Sequence, residues 1–455
     1  MKKSILFAVA VLFLLSAGNL PAEAKKVPEQ GKALMRFGVI SDFQVYREND
    51  PTFAYLEKAF QLFRKNNVDA VVVAGDVSGI SNVAVYKRFR KTFDDVFAGT
   101  SVKFLPVMGN HDFRGNHIKD MEEARKIFME HMKVDKLDRR VNVKGFDFVL
   151  FNPDSGKGEQ YSDEVGKFVE QEIKKSIGEN SGKPVFAVSH HPSAFTFYGT
   201  KEGKGQIFKF LKKYEQVIHF AGHTHYPLAD ERIINQKHFT AVQTSTLYYG
   251  CLERYDFGRR GKHPYAFDVK ECLLVSVYPE EILIRRFSVK NGNEIKKDSP
   301  WRVPLPLKKA NFIYTDARKD KRALPEFPAS AKGTAAVDKV PFKTVTLTFT
   351  AAVHPDFVHS YKLDIYRKDE KGNLIPASVG KFIFSSGFYR GLEKMTNEVK
   401  VQIPGNVFDF EVSTEYIFMV YPVESFGKTG KNGLKIAFRT PGKKAVMPLK
   451  KGGKK

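Results

Sequence analysis

The chain has 455 residues, of which 42% are hydrophobic and 27% charged, with a formal charge of +23. That length exceeds one ordinary domain and predicts two domains with tails. The positive charge is scattered over loops and helix faces. Its one concentration is ten basic residues without an acid from Lys428 to Lys455, a stretch read as ending in a solvated basic tail over 442–455. No recognition helix or stacking-aromatic motif accompanies it, which excludes specific nucleic acid from the expected partners.

The N-terminus reads as a signal peptide over residues 1–24. Lys2 and Lys3 form its charged start, Ile5 to Leu15 its apolar stretch and Ala22-Glu-Ala24 its cleavage site. The apolar run is shorter than the ~18–20 residues a membrane span needs. The expectation is a mature protein starting near Lys25, secreted or periplasmic, with no transmembrane segment.

From Met35 to about Phe220, short apolar runs alternate with amphipathic stretches that predict helices over Phe53–Arg64, Val83–Phe97, Met121–Met132, Asp163–Ile177 and Gly205–Lys213. Between Asn142 and Asn152 the pattern predicts a hairpin turning at Lys144-Gly145. Strand-like runs follow at Phe239–Thr244, Leu273–Tyr278 and Ile282–Phe287, closing a first domain over 33–298. Residues 299–339 are rich in Pro, Lys and Ala and read as an extended linker along that domain. Over 340–441 the alternation is strict, for example Val345, Leu347 and Phe349, and predicts an all-β sandwich. Its segment from Glu415 to Gly427 resembles the late strand and turn of a fibronectin type III domain. The sandwich leaves a surface open to envelope or glycan contact.

Five apolar runs of the first domain end in residues fit to hold a metal: Asp42-Phe-Gln44, Gly75-Asp76, Gly109-Asn110-His111-Asp112, His190-His191-Pro192 and Gly222-His223-Thr224-His225. Ligands at the carboxyl ends of strands are where an α/β protein builds its site. Asp42, Asp76 and Asn110 are each 34 residues apart, about one strand–helix unit, so three successive strand ends would meet at one rim. Taken singly each has an ordinary explanation: an aspartate after a strand caps a helix, and an Asn-His pair makes a turn. Asp76 is suited to bridge two ions, because a carboxylate has two oxygens.

The five segments, in this order, resemble the calcineurin-like metallophosphoesterases over about Met35 to Phe287. The resemblance implies two packed sheets flanked by helices and two divalent metal ions. Asp42, Gln44 and His225 would complete one ion's site, and Asn110, His190 and His223 the other's. His190 rather than His191 is the implied ligand, with His191 near the substrate. Gln44 departs from the family's usual histidine. Its neutral carbonyl oxygen disfavours zinc, so that among Mn, Fe and Zn it favours Mn. Asp-x-Gln resembles the ADP-ribose/CDP-alcohol diphosphatase branch at these residues only. The expected activity is hydrolysis of a small phosphodiester or diphosphoester by a hydroxide activated between the metals. His111 would protonate the leaving oxygen, Asp112 orient its ring and Arg114 steady phosphate charge. The alternatives are a phosphomonoesterase or protein phosphatase, and a non-catalytic binding protein on the same scaffold. Cys251 and Cys272 could pair in an oxidising compartment or stand as separate thiols; the sequence leaves both readings open.

Overall fold

The computed structural model describes residues 31–197, 203–252, 265–337, 344–405 and 408–442. The signal peptide and most of the basic tail lie outside the described residues, as do parts of the loops 195–203 and 250–264.

The first domain begins with three strand–helix units: β1 (Met35–Ile40), α1 (Phe53–Lys65), β2 (Ala70–Ala74), α2 (Val83–Val96), β3 (Lys103–Val107) and α3 (Met121–Met132). The expected hairpin follows as β4 (Arg139–Val143) and β5 (Phe146–Leu150), turning on Lys144 and Gly145, both with positive φ. Then come α4 (Asp163–Glu179), β6 (Val185–Val188), α5 (Gly205–Leu211), β7 (Val217–Ala221), β8 (Ile234–Gln236) and β9 (Thr240–Gln243). A two-strand ladder, β10 (Gly250–Cys251) and β11 (Tyr265–Ala266), precedes β12 (Glu271–Val277), β13 (Glu281–Ser288), β14 (Glu294–Ile295) and β15 (Trp301–Pro304). The helix starts are fixed by side chains that accept from free backbone amides: Asn82 for α2, Asp120 for α3 and Ser162 for α4.

Two sheets result. One has the order β14-β13-β12-β1-β2-β3 with β15 on β13, and the other β4-β5-β6-β7-β9-β8. Strands β1, β2 and β3 are parallel, as are β5, β6, β7 and β9, so the carboxyl ends of each set lie along one edge. Between the sheets, Phe37 meets Phe148, Phe186 and Phe220 with ring centroids 5.1, 5.0 and 5.6 Å apart. The outer face of the first sheet packs Val71 and Val73 against Phe60, Phe89 and Phe128 of α1, α2 and α3. The second covers Val149 and Ala187 with Val169 of α4 and Ile207 of α5. Strands buried on both faces read as unbroken apolar runs, which is why Ala70–Ala74 shows no alternation. This is the expected four-layer arrangement, helices over two packed sheets.

The C-terminal unit is a two-sheet antiparallel β-sandwich. Strands β16 (Gly333–Val337), β17 (Thr344–Thr350) and β20 (Glu398–Pro404) make one sheet. Strands β18 (Ser360–Lys368), β19 (Leu374–Ser385), β21 (Glu415–Val423) and β22 (Leu434–Arg439) make the other, in the order β19-β18-β21-β22. Val345, Leu347, Phe349, Leu363, Ile365, Phe418 and Ile436 fill the space between.

The expected linker 299–339 is not a separate element. Its first part is β15, which carries the fully buried Trp301 into the first sheet, and its last part is β16 of the sandwich. The stretch between follows the first domain: Gln236 Oε1 accepts from Ile313 N and Tyr314 N, and Arg318 donates to the carbonyls of Glu231 and Ile234. The sandwich is tied down by Lys296–Asp356 at 2.5 Å and by Arg232 on His359 at 2.7 Å. Phe357 and Phe388 join the core between the two sheets of the first domain. Cys251 and Cys272 are both free thiols. Cys272 lies in the apolar layer under α1–α3, while Cys251 donates to Thr224 O at 3.2 Å.

Candidate metal centre

All seven residues expected to hold metal converge where the two parallel strand sets end. Asp42 and Gln44 follow β1, Asp76 follows β2, Asn110 begins a single 3₁₀ turn after β3, His190 follows β6, and His223 and His225 follow β7. His190 Nε2 lies 3.2 Å from Asp76 Oδ2, 3.1 Å from Asn110 Oδ1 and 4.0 Å from Asp42 Oδ1. His225 Nε2 is 3.1 Å from Asp42 Oδ1, and the Gln44 amide reaches Asp76 Oδ2 at 2.5 Å. His223 Nδ1 stands 3.2 Å from both Asn110 Oδ1 and His190 Nε2. Asp76 stands between them: Asp42, Asp76 and His190 offer ligand atoms within 4.8 Å of one another, and Gln44 reaches the same Asp76 carboxylate.

The local backbone shows why these positions need their residues. Asp42, Gln44, Asp76, His223 and His225 have φ between 44° and 73°, in the left-handed region that non-glycine residues seldom enter. Such strain persists only where surrounding structure enforces it, and it collects at functional sites. Two glycines permit the crowding. A Cβ on Gly109 would strike the Asp76 carboxylate, and one on Gly222 would lie 2.5 Å from Asp42 Oδ2. Backbone amides complete the framework: His111 N donates to Asp76 Oδ1 at 2.8 Å and His223 N to Asp42 Oδ2 at 2.9 Å.

The donor set fits two divalent cations. His190 Nδ1 pairs with Ala74 O at 2.9 Å and His225 Nδ1 with Tyr249 O at 2.8 Å. A ring that donates its Nδ1 proton outward turns the Nε2 lone pair inward, as metal-bound histidines do. Burial opposes charge on Asp42, Asp76, His190 and His225, yet mutual attraction overrides it. His225 and His190 hold the Asp42 carboxyl below its ordinary range, and His190 does the same to Asp76. Asp76 and Asp42 push the buried His190 up to about 9. This is the electrostatics of a site built around positive charge.

The residues expected around the metals fall differently. His111 adjoins the centre through its backbone amide on Asp76. Its Nδ1 lies 3.1 Å from Gly79 O, and Arg114 Nη1 donates to its Nε2 at 2.8 Å. Burial lowers its pKa, with Asp76 opposing and Arg114 assisting. Asp112 does not orient that ring. It is fully buried and accepts from Gly109 N and Ser78 N at 2.9 Å each, Val77 N at 3.2 Å and Tyr86 OH at 2.9 Å. Successive side chains of a 3₁₀ turn diverge, so Asp112 points back to staple the β2 and β3 loops while His111 points to the centre. Burial and the nearby Asp76 push its carboxyl up to about 7. The imidazole is oriented instead by the Gly79 carbonyl.

His191 likewise stands one layer behind the centre, fully buried, its ring 4.5 Å from that of His223. Its Nε2 meets Glu159 at 3.2 Å and its Nδ1 meets Tyr161 OH at 3.2 Å, and with Glu159 and His223 it makes a second group of ligand-competent atoms within 4.8 Å of one another. Lys204 Nζ donates to the same Glu159 at 3.0 Å, and Arg114 Nη2 lies 3.8 Å from it. Glu159, Tyr161 and Lys204 were invisible in the sequence, because no motif joins a turn at 159 to a loop at 204. Arg114 is half exposed.

A family-model comparison matches residues 35–227 to the calcineurin-like phosphoesterases. Residues 35–227 are a calcineurin-like phosphoesterase domain. The cAMP/cGMP dual specificity phosphodiesterase of Mycobacterium tuberculosis is 24% identical over 262 residues, spanning 55% of this chain and 76% of that protein. Among solved structures, purple acid phosphatase PPD1 from yellow lupin (Lupinus luteus) seeds aligns with a TM-score of 0.40 at 12% identity, over 65% of this chain and 56% of its own. GAP50, the anchor in the inner membrane complex of Plasmodium, aligns with a TM-score of 0.38 at 12% identity, over 62% of this chain and 91% of its own. The phosphoesterase domain makes this chain a hydrolase of phosphoester bonds.

Proposed function

We propose that the protein is an exported, metal-dependent hydrolase of phosphodiester or diphosphoester bonds. The observation that carries the reading is the convergence of seven ligand-competent side chains, five of them on left-handed backbone, around Asp76. Two divalent cations held there would supply Lewis-acid polarisation of the phosphoryl group and a water deprotonated at neutral pH. Gln44 offers an amide oxygen where imidazole would favour zinc, which supports manganese in the Asp42–Gln44–His225 site.

The chain's own residues supply the rest. Arg114 can turn its guanidinium from His111 to a phosphoryl oxygen, as a planar donor suited to that geometry. His111, steadied through Nδ1 by Gly79 O, meets Arg114 at Nε2; with Arg114 turned to a phosphoryl oxygen, a proton carried on Nε2 would pass to a departing alkoxide. A diester or diphosphoester is favoured over a monoester because the site has two unlike flanks for two substituents: Arg114, Glu159 and Lys204 on the His223 side, and aromatic rings on the His225 side.

The test is a screen of the manganese-loaded protein against phosphomonoesters, diesters and nucleotide diphosphates. The expected result is highest kcat/KM on a diester or diphosphoester. Preference for monoesters would replace the reading with a phosphomonoesterase, and turnover of none would leave a binding protein. Export is proposed from Ala22-Glu-Ala24. Intact-mass analysis of periplasmic or secreted material should give a chain starting near Lys25; a full-length cytosolic chain would contradict it.

A further inference from the structure

Five aromatic rings stand in a row on the His225 side of the metal centre. Tyr249 lies against the His225 ring, centroids 4.3 Å apart at 35°. Tyr265 and Phe267 pack on Tyr249 at 5.1 and 5.8 Å, and Tyr248 meets Phe267 at 6.3 Å. Tyr46 meets Tyr248 at 6.5 Å and rests on Gly79, the residue whose carbonyl holds His111. The rings come from three segments: the loop after β1, the loop after β9, and β11 with the turn that follows.

This row is not a core. Tyr46 is 42%, Tyr265 49% and Phe267 66% exposed, among the most exposed large apolar side chains of the described residues. Large aromatics left open beside a catalytic centre mark a binding surface more often than a packing fault. A cation is a poor occupant. Lys270 already sits behind the row, its Nζ 6.0 Å from the Tyr248 ring centre and donating to Phe267 O at 2.7 Å, so a second positive charge would be repelled. An acyl chain would need a closed groove, whereas Tyr46, Tyr265 and Phe267 leave their rings exposed. A neutral planar ring stacks on such a face without a fixed hydrogen-bond pattern.

We propose that Tyr46, Tyr248, Tyr249, Tyr265 and Phe267 form a stacking subsite for a planar aromatic ring, a nucleobase in class, carried by one ester substituent of the phosphodiester. The inference rests on the diester reading above and extends it: one substituent lies on the rings, the phosphoryl group over the ligands, and the other substituent toward Arg114 and Lys204.

The probes are the p-nitrophenyl ester of thymidine 5′-monophosphate and ethyl p-nitrophenyl phosphate, which share charge and leaving group and differ in the base-bearing substituent. The wild-type protein should prefer the thymidine ester. In Phe267→Ala and Tyr265→Ala, the ratio of the two kcat/KM values should fall about ten-fold for each ring removed. A ratio unchanged within about two-fold would overturn the subsite while leaving the diester reading intact. If wild-type protein hydrolyses neither probe, the diester reading is what fails. Calorimetric binding of adenosine 5′-monophosphate against ribose 5-phosphate then decides the subsite, because the two ligands differ only in the base. Binding about ten-fold tighter for the nucleotide supports it, and equal affinities overturn it.

Discussion

The phosphoesterase domain and the C-terminal sandwich are both built on β-sheets with dry apolar cores, yet they treat their polar groups and backbone differently. The sandwich spends its buried positions on residues such as Leu347, Phe349 and Ile365, and among its described residues only Ser413 is a non-glycine residue with positive φ. At the ligand-bearing strand ends of the phosphoesterase domain, by contrast, Asp42, Gln44, Asp76, Asn110, His190 and His225 are buried together, and four of these six carry left-handed backbone. Burying charge without a partner costs several kcal/mol, so that arrangement persists only with compensating charge. The difference teaches that the rim is built for something it holds and the sandwich for its own packing.

The sharpest way to break this contrast is to remove the shared carboxylate. Asp76→Ala should cut diester hydrolysis by several orders of magnitude while leaving the sandwich folded, because His190 and Gln44 both contact that carboxylate and it is the group suited to bridge two cations. Circular dichroism and initial rates together check it. A variant retaining near-wild-type rates would show that the convergence is not the catalytic centre.

His111→Asn is expected to act more selectively. A general acid contributes ~10²–10⁴-fold where the leaving oxygen needs a proton. The loss should therefore be large with an alkyl leaving group, small with nitrophenolate, and unaccompanied by metal loss. Equal losses for both, or lost metal, would make His111 a structural or ligating residue.

Between the two regions lies Glu231, which tests whether the second is held to the first by charge. It accepts from Arg286 at 2.8 Å, Lys296 at 2.9 Å and Trp301 Nε1 at 2.7 Å. Burial opposes its ionisation, but Arg286 and Lys296 hold its carboxyl down to about 2. A depressed folded-state pKa stabilises above the ordinary carboxylate range and loses that contribution as pH falls. Glu231→Gln should thus destabilise by up to about 3 kcal/mol at pH 7. The gap should narrow as pH drops from about 4.5 toward 2, as denaturant titrations at several pH values would show.

Smaller still is the effect expected of Gly222→Ala, whose Cβ would lie 2.5 Å from Asp42 Oδ2 and 2.9 Å from Ala74 O. Overpacking of this kind costs about 1–3 kcal/mol, and here it should also weaken metal binding, seen as a lower Tm and lower metal content. The smallest change is Ser413→Gly in the sandwich, which relieves left-handed backbone and should shift stability by less than about 1 kcal/mol with hydrolysis unaltered. Strain in the sandwich is dispensable; strain at the rim is not.

Much of this was legible in the amino-acid order. The five helices fall within a few residues of their expected ends, since capping residues and 3.6-residue periodicity are local signals. The seven candidate ligand positions were legible because each follows an apolar strand. What escaped depended on distance in space. Strand β15 was absorbed into the expected linker because proline-rich sequence surrounds it, though Trp301 is fully buried. Asp112 looked like a partner of His111 by adjacency, whereas the turn sends their side chains apart. The aromatic row gathers rings from residues 46, 248, 249, 265 and 267, and no periodicity joins them. The left-handed backbone at these positions has no sequence signature beyond the glycines that precede Asp76 and His223.

The central claim is that the buried cluster around Asp76 exists to hold two cations. Elemental analysis of the purified wild-type protein after incubation with manganese, iron or zinc and removal of free ion tests it most directly. About two ions per chain, with manganese retained in preference to zinc at one of them, is the result this account predicts; a protein that retains no metal would contradict it.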